Sequence, residues 1–159
     1  MFRAMRRFRQ QVSDAECRKI LTEEKRAAFS VIGDDGYPYT VPVNFYFDET
    51  DNCIYIHGAR TGHKAESLKA CDKVCFTTWN QGFKKEGAWE WNATSVVVFG
   101  KVKFIDDQAV IRDKLMKMVA KYYPAGKEAE ADMSDASIKR VQVFAIEIEH
   151  MTGKLVNEK

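Results

Sequence analysis

The run Ile54-Tyr55-Ile56-His57-Gly58-Ala59-Arg60-Thr61-Gly62-His63-Lys64 carries the most chemistry for its length. A short apolar strand gives way to small residues, and a helix opens at Gly62-His63-Lys64. The first N–H groups of a helix have no partner inside it and attract an anion. Lys64 adds a full charge and His63 a second donor. Gly58 and Gly62 let backbone approach a ligand closely. In outline this is a phosphate cradle. The same spacing also fits an ordinary helix cap with two exposed basic side chains.

Two further stretches could face a ligand. Tyr39-Thr40-Val41-Pro42-Val43-Asn44 reads as a strand in which Pro42 has no N–H to give to a ladder. Such a strand can offer backbone N–H and C=O groups to a flat heterocycle, or it is a core strand with a bulge. Thr94-Ser95-Val96-Val97-Val98-Phe99-Gly100 is a strongly β-forming run headed by two hydroxyls, which also fits a plain central strand. The three histidines are His57, His63 and His150. His57 and His63 lie across a loop without a third ligand at metal spacing, so no metal site is expected. No catalytic triad stands out.

These stretches need a scaffold, and the composition allows one. The chain has 159 residues, 45% hydrophobic and 30% charged, with a net charge of +2. That suits one domain over 1–159 with its own core and argues against disorder. The small net charge gives nucleic-acid binding no support, although Arg3, Arg6, Arg7 and Arg9 crowd the first ten residues. These arginines fit a solvated arm or an anion contact completed by folding or dimerisation. No apolar run reaches the roughly 18 residues of a membrane span, and no signal-peptide core follows the basic start. Cys17, Cys53, Cys71 and Cys75 form no C-x-x-C pair, which fits reduced thiols in a cytoplasmic protein.

Along the chain, Ser13 and Glu16 make a capping box for a helix to about residue 24. Strands are expected over 27–32 and 37–47, joined as a hairpin by Gly33-Asp34-Asp35-Gly36. Pro38 and Pro42 place the second of these near an edge. A strand over 53–58 and a helix over 63–70 follow, the helix turning Ala65, Leu68 and the stem of Lys69 inward. A strand over 73–79, a polar loop over 81–87 and a long strand over 93–105 come next. Ile111, Leu115, Met118, Val119 and Tyr122 recur at helical spacing over 106–123, where Pro124 stops the helix. The segment 126–137 reads as a loop or frayed turn, and 141–150 as a last strand. Hairpins dominate and regular βαβ alternation is missing, so the expected fold is mainly β with flanking helices, a six-stranded antiparallel barrel closed or nearly so.

In order and spacing these motifs resemble the FMN-binding split β-barrels of the pyridoxamine-phosphate-oxidase-like superfamily. Within it, the nitroimidazole-resistance (Nim-type) proteins are the most similar group. The resemblance rests on Arg6-Arg7 before a capped helix and on Gly33-Asp34-Asp35-Gly36-Tyr37-Pro38 running into Val41-Pro42-Val43-Asn44. It rests also on His57-Gly58 with Gly62-His63-Lys64, on Ser95-Val96 with Phe99-Gly100, and on Lys121-Tyr122-Tyr123-Pro124. It implies an FMN-dependent oxidoreductase with Gly62, His63 and Lys64 at the phosphate. Tyr39, Thr40, Val41, Pro42, Val43 and Asn44 would lie along the ribityl chain and ring, and His57, Gly58 and Ala59 would close the site. It implies a homodimer with the flavin at the interface, Ser95 and Val96 coming from the opposite subunit. FAD, F420 and haem are the alternative cofactors, haem taking His57 or His63 as ligand in a non-catalytic binding module. NAD(P)H or a reduced flavin is the implied donor, a nitro-aromatic or quinone-like compound the acceptor, and His57 the candidate proton donor. Two departures bear on activity. Asn44 stands where the vitamin B6 oxidases place a Lys for the substrate phosphate, and Gly153-Lys154-Leu155-Val156-Asn157-Glu158-Lys159 stands where they have an Arg-rich substrate motif, so B6 oxidation is not expected; separately, Thr94 stands where many relatives have an Arg that makes a phosphate or interface contact.

Overall fold

The computed structural model describes residues 1–124 and 135–157. The elements in chain order are α1 (Asp14–Glu23), β1 (Arg26–Ile32), β2 (Pro38–Asn44), β3 (Tyr46–Asp48), β4 (Cys53–Ala59), α2 (His63–Ala70), β5 (Lys73–Trp79), β6 (Phe83–Lys84), β7 (Trp91–Ile105), α3 (Gln108–Tyr122), α4 (Asp135–Arg140) and β8 (Val141–Asn157). The strands form one antiparallel sheet in the order β2-β1-β5-β7-β8-β4-β3, with β6 added alongside β7. The two edge strands, β2 and β3, are neighbours in sequence with only Phe45 between them. A sheet whose opposite edges are joined by one residue cannot lie flat, so it rolls into a barrel split along that seam.

Local chemistry explains the joints. Ser13 Oγ accepts the Glu16 N–H at 3.2 Å, as its capping box requires. In the β1–β2 turn the Gly33 N–H bonds the Tyr37 carbonyl at 2.8 Å, and Gly36 has φ +82°, which suits glycine. The long strands β7 and β8 bend together at a bulge, where Phe99 faces His150 but Gly100 faces Ile148. A Cβ on Gly100 would sit 2.3 Å from the Glu147 carbonyl oxygen, so only glycine fits there. Phe45 is fully buried, its N–H donates to Tyr122 Oη at 2.8 Å, and the same hydroxyl bonds the Lys25 carbonyl. A side chain from α3 thus ties the seam.

There are two cores. Inside the barrel, Phe29, Phe76, Val96, Val98, Ile54, Ile56 and Phe144 meet Cys17, Ile20 and Leu21 of α1 and Ala65 and Leu68 of α2. Outside it, Tyr55, Val143 and Ala145 pack against Ile111, Leu115 and Met118 of α3. Alternation along β4 therefore sends Ile54 and Ile56 inward and Tyr55 and His57 toward α3.

The expected class holds, but the sheet has eight strands rather than six. The 37–47 segment is two strands, because burying Phe45 breaks the ladder. The 81–87 loop contains β6, and the last strand continues past 150 to Asn157, where it pairs with the start of β7. Lys69 does not turn inward; it is exposed beside Glu66 at 3.1 Å, and Ser67 is the buried residue. Of the 126–137 segment, 126–134 lie outside the described residues, and 135–137 begin α4. No helix among the described residues is long and apolar enough to cross a membrane.

Candidate ligand cleft at the barrel seam

Proline explains where the cleft opens. Pro38 and Pro42 cannot donate to a ladder, and they lie on β2, an edge of the sheet, as expected. The far side of an edge strand keeps a row of backbone groups that no neighbour uses. Beside β2 lies a cleft of about 530 Å³ lined by Arg26, Tyr39, Val41, Pro42, Val43, Asn44, His57 and Lys64. This falls in the size range of small-molecule sites.

Seven of the residues singled out from the sequence thus share one surface, contributed by β2, β4 and α2. Arg26 is the eighth. It stands opposite Asn44 in the β1–β2 register, so the cleft has a cation beside the amide. Asn44 itself brings no charge; Arg26 supplies one next to it. A lone Arg before an apolar strand carries no signal in sequence; only the pairing register brings it here.

Lys64 is partly buried, with Nζ 5.5 Å from the Phe144 ring centre, and burial pushes its pKa down. No carboxylate among the described residues lies within ion-pair distance of it. A Cβ on Gly58 would sit 2.8 Å from Lys64 Nζ, so this glycine makes room for the amine. Gly62 caps α2 with φ +111° and provides no side-chain hydrogen bond to the first turn, whereas Ser13 and Asp107 do so for α1 and α3. The lining holds two cations and no acid. Its chemistry is that of an anion site next to a flat, half-apolar wall.

His57 faces the same cleft. Its pKa is pushed down, first by burial and then by the Lys64 charge. Its Nδ1 lies 3.1 Å from Met118 Sδ of α3. Met118 was visible in sequence only as part of a helical core stripe.

The remaining sequence candidates are placed differently. The Thr40 hydroxyl faces away, 2.8 Å from Ser30 Oγ. Gly58 and Ala59 continue β4 beside His57. His63 stacks on Tyr39 at 4.1 Å between ring centres, with Nε2 3.3 Å from Asp34 Oδ1, and so braces the cleft wall from behind. Ser95 and Val96 do not line the cleft of their own chain. Ser95 lies on the outer face of β7 opposite Lys154, while the Val96 side chain is fully buried in the barrel.

A split antiparallel barrel with a cationic cleft at its seam is a small-molecule-binding architecture. The chain belongs to the pyridoxamine 5'-phosphate oxidase family, whose sequence model matches residues 13–155. Among solved structures it is similar to a candidate 5-nitroimidazole antibiotic resistance protein from Bacteroides thetaiotaomicron. The two are 25% identical with a TM-score of 0.79, covering 92% of this chain and 87% of that one. It is also similar to a flavocytochrome from Azotobacter vinelandii at 22% identity, TM-score 0.80, covering 96% and 72%. An FAD-binding protein from Mesorhizobium loti gives 22% and 0.66, covering 92% and 96%. None of the curated proteins is similar enough in sequence to match.

Proposed function

We propose that the cleft holds a flavin, FMN in the first instance, and that the protein is a flavin-dependent oxidoreductase whose acceptor is a nitro-aromatic compound. The observation that carries this is Lys64: a partly buried cation with no carboxylate partner among the described residues, given room by Gly58, at the start of a helix whose Gly62 cap offers no side chain, and open to the cleft. Such a group suits a phosphate. Lys64 and the α2 start would hold that phosphate, and the free edge of β2, with Tyr39 and Val41, would flank the ring. A bound flavin supplies hydride or electron transfer, with NAD(P)H or a reduced flavin as donor. The names of the flavocytochrome and the FAD-binding relative agree with a flavin, and that of the Bacteroides protein with a nitroimidazole.

The reading includes a homodimer working in the cytoplasm. The outer face of β5, β7 and β8 supports the dimer. Its cross-strand rows run Trp79-Ser95-Lys154, Thr77-Val97-Thr152 and Cys75-Phe99-His150, with Trp91 and Phe83 at one end. Trp79 is 54% exposed and Phe99 41%, which is costly for a lone subunit and useful against a second copy. An interface of this type buries more than about 2,000 Å² in total.

The test is the visible spectrum of the purified protein, followed by NAD(P)H oxidation with a panel of nitro-aromatics. Flavin bands with acceptor-dependent turnover support the proposal. A Soret band would move it to haem. A colourless protein that takes up neither FMN nor haem would end it, and a monomer at micromolar concentration with FMN bound would remove the dimer.

A further inference from the structure

We propose that Met118 is a positioning residue that fixes the tautomer of His57, so that the imidazole meets a ligand in the cleft through the unprotonated Nε2. The argument begins with the 3.1 Å separation of His57 Nδ1 and Met118 Sδ. A thioether has lone pairs and no proton to give. Two lone pairs would repel at that distance, so Nδ1 carries the proton and donates it to sulfur. A neutral imidazole has one N–H, and Nε2 is therefore an acceptor.

The fold holds this arrangement from both sides. Alternation along β4 turns His57 toward α3, and its strand position is fixed by pairing with Val143 of β8. Met118 is buried among Ile111, Leu115 and Val143 and has little room to withdraw its sulfur. Burial first, and then the charge of Lys64 of α2, disfavour a second proton on the ring, so the neutral form is the working one. His57 thus works as a hydrogen-bond or proton acceptor. This reverses the proton-donor role expected from sequence. The ligand it selects presents an N–H or O–H at that point in the cleft. The tautomer stands on its own geometry; its use on a cofactor rests on the flavin reading above.

The experiment is nitrogen-15 NMR of the three histidine rings in the full chain, with His57 assigned by loss of its signals in His57→Gln. At a pH where His57 is neutral, we expect a pyrrole-like Nδ1 and a pyridine-like Nε2. Met118→Leu keeps the volume but removes the sulfur acceptor, and should move the ring toward the other tautomer or a mixture. A protonated Nε2 in the parent, or no change in Met118→Leu, overturns the proposal. The second arm is FMN titration. Met118→Leu should weaken FMN about three- to tenfold, the worth of one neutral hydrogen bond. In a His57→Phe background the same substitution should have no further effect. A loss that persists in that background means Met118 acts on packing, and overturns the positioning role. Failure of the parent to bind FMN at all would sink the flavin reading, while the ring spectra would still decide the tautomer.

Discussion

Replacing Lys64 by Met gives two effects of opposite sign, and together they test what the amine is for. The thioether chain keeps the contact with Phe144 and Gly58 and removes only the charge. In the free protein this charge is a burden. Its pKa is lowered by burial and no carboxylate among the described residues offsets that cost. A lysine with a lowered folded pKa binds fewer protons folded than unfolded between that value and 10.5. Stability therefore rises with pH through that window, and the penalty is largest on its acid side. Lys64→Met should accordingly raise the melting temperature of the ligand-free protein at pH 7. In the FMN complex the sign reverses. A hydrogen bond to a charged phosphate contributes about 1.5–3 kcal/mol, so the affinity should fall roughly tenfold to a hundredfold. Riboflavin, which has no phosphate, should bind parent and variant equally. Flavin fluorescence quenching gives both affinities, and calorimetry gives the free-protein stability. Gly58→Ala should reproduce part of the FMN loss, since its Cβ pushes the amine aside. Equal losses for FMN and riboflavin, or a destabilised free protein, would refute the assignment of Lys64 to the phosphate.

Arg26 and Asn44 face each other across β1 and β2, so Arg26→Gln should weaken pyridoxamine phosphate and Asn44→Lys should strengthen it, each by about tenfold, the worth of one charge-assisted bond. Calorimetric titration of pyridoxamine phosphate into the FMN-loaded parent and variants checks both. Lys114 is buried between Asp48 and Asp51, with Nζ 2.8 Å from each; Lys114→Met removes the cation they share but leaves Asp48 with Lys117 and Thr50 and Asp51 with Tyr55, and should cost about 1–3 kcal/mol in urea unfolding. Burial alone would raise the Asp48 pKa, but hydrogen bonds from Lys114, Thr50 and Lys117 outweigh it and hold the carboxyl well below its usual range. Its contribution is present above the unfolded value of 3.8 and fades as pH falls through the folded one, so acid unfolding should lose steepness in Lys114→Met. Burial pushes the Lys121 pKa down to about 8, with Nζ 4.1 Å from the Phe45 ring centre. The stability of the parent, measured against Lys121→Met, should therefore rise between about pH 8 and 10.5; a flat difference would show that the amine is solvated.

What the sequence made readable was local. The Ser13 cap, the Gly33–Gly36 turn and the edge position of Pro38 and Pro42 each depend on residues within a few positions of one another. The cleft was legible to the extent that its residues lie in two short runs, 39–44 and 57–64. Arg26 was missed because it joins the cleft through strand pairing with Asn44. Met118 was missed as a partner of His57 because an apolar stripe on a helix says nothing about which strand residue it meets. The break at Phe45 was hidden because an aromatic residue in a β-rich run reads as more strand; it becomes a joint only when Tyr122, far along the chain, takes its backbone groups. The tail 151–157 lacks alternation around Gly153, and its strand exists because β7 is long enough to receive it.

The single residue between β2 and β3 has a consequence for how this sequence can vary. Arg26 is locked opposite Asn44 on one side of Phe45, and Tyr46 opposite Tyr55 on the other. With both flanks pinned, one added or deleted residue cannot be absorbed as slack. It would have to pass into β2 or β3 as a one-residue slip, turning every side chain of that strand to the opposite face. A slip in β2 would carry Tyr39, Val41 and Val43 away from the cleft and the core, and a slip in β3 would expose Phe47 and bury Tyr46. A loop such as 85–90 can lengthen at little cost. At Phe45 the spacing itself is the constraint, and libraries that insert or delete single codons should show a gap in survivors there even where substitutions of the neighbouring residues are accepted.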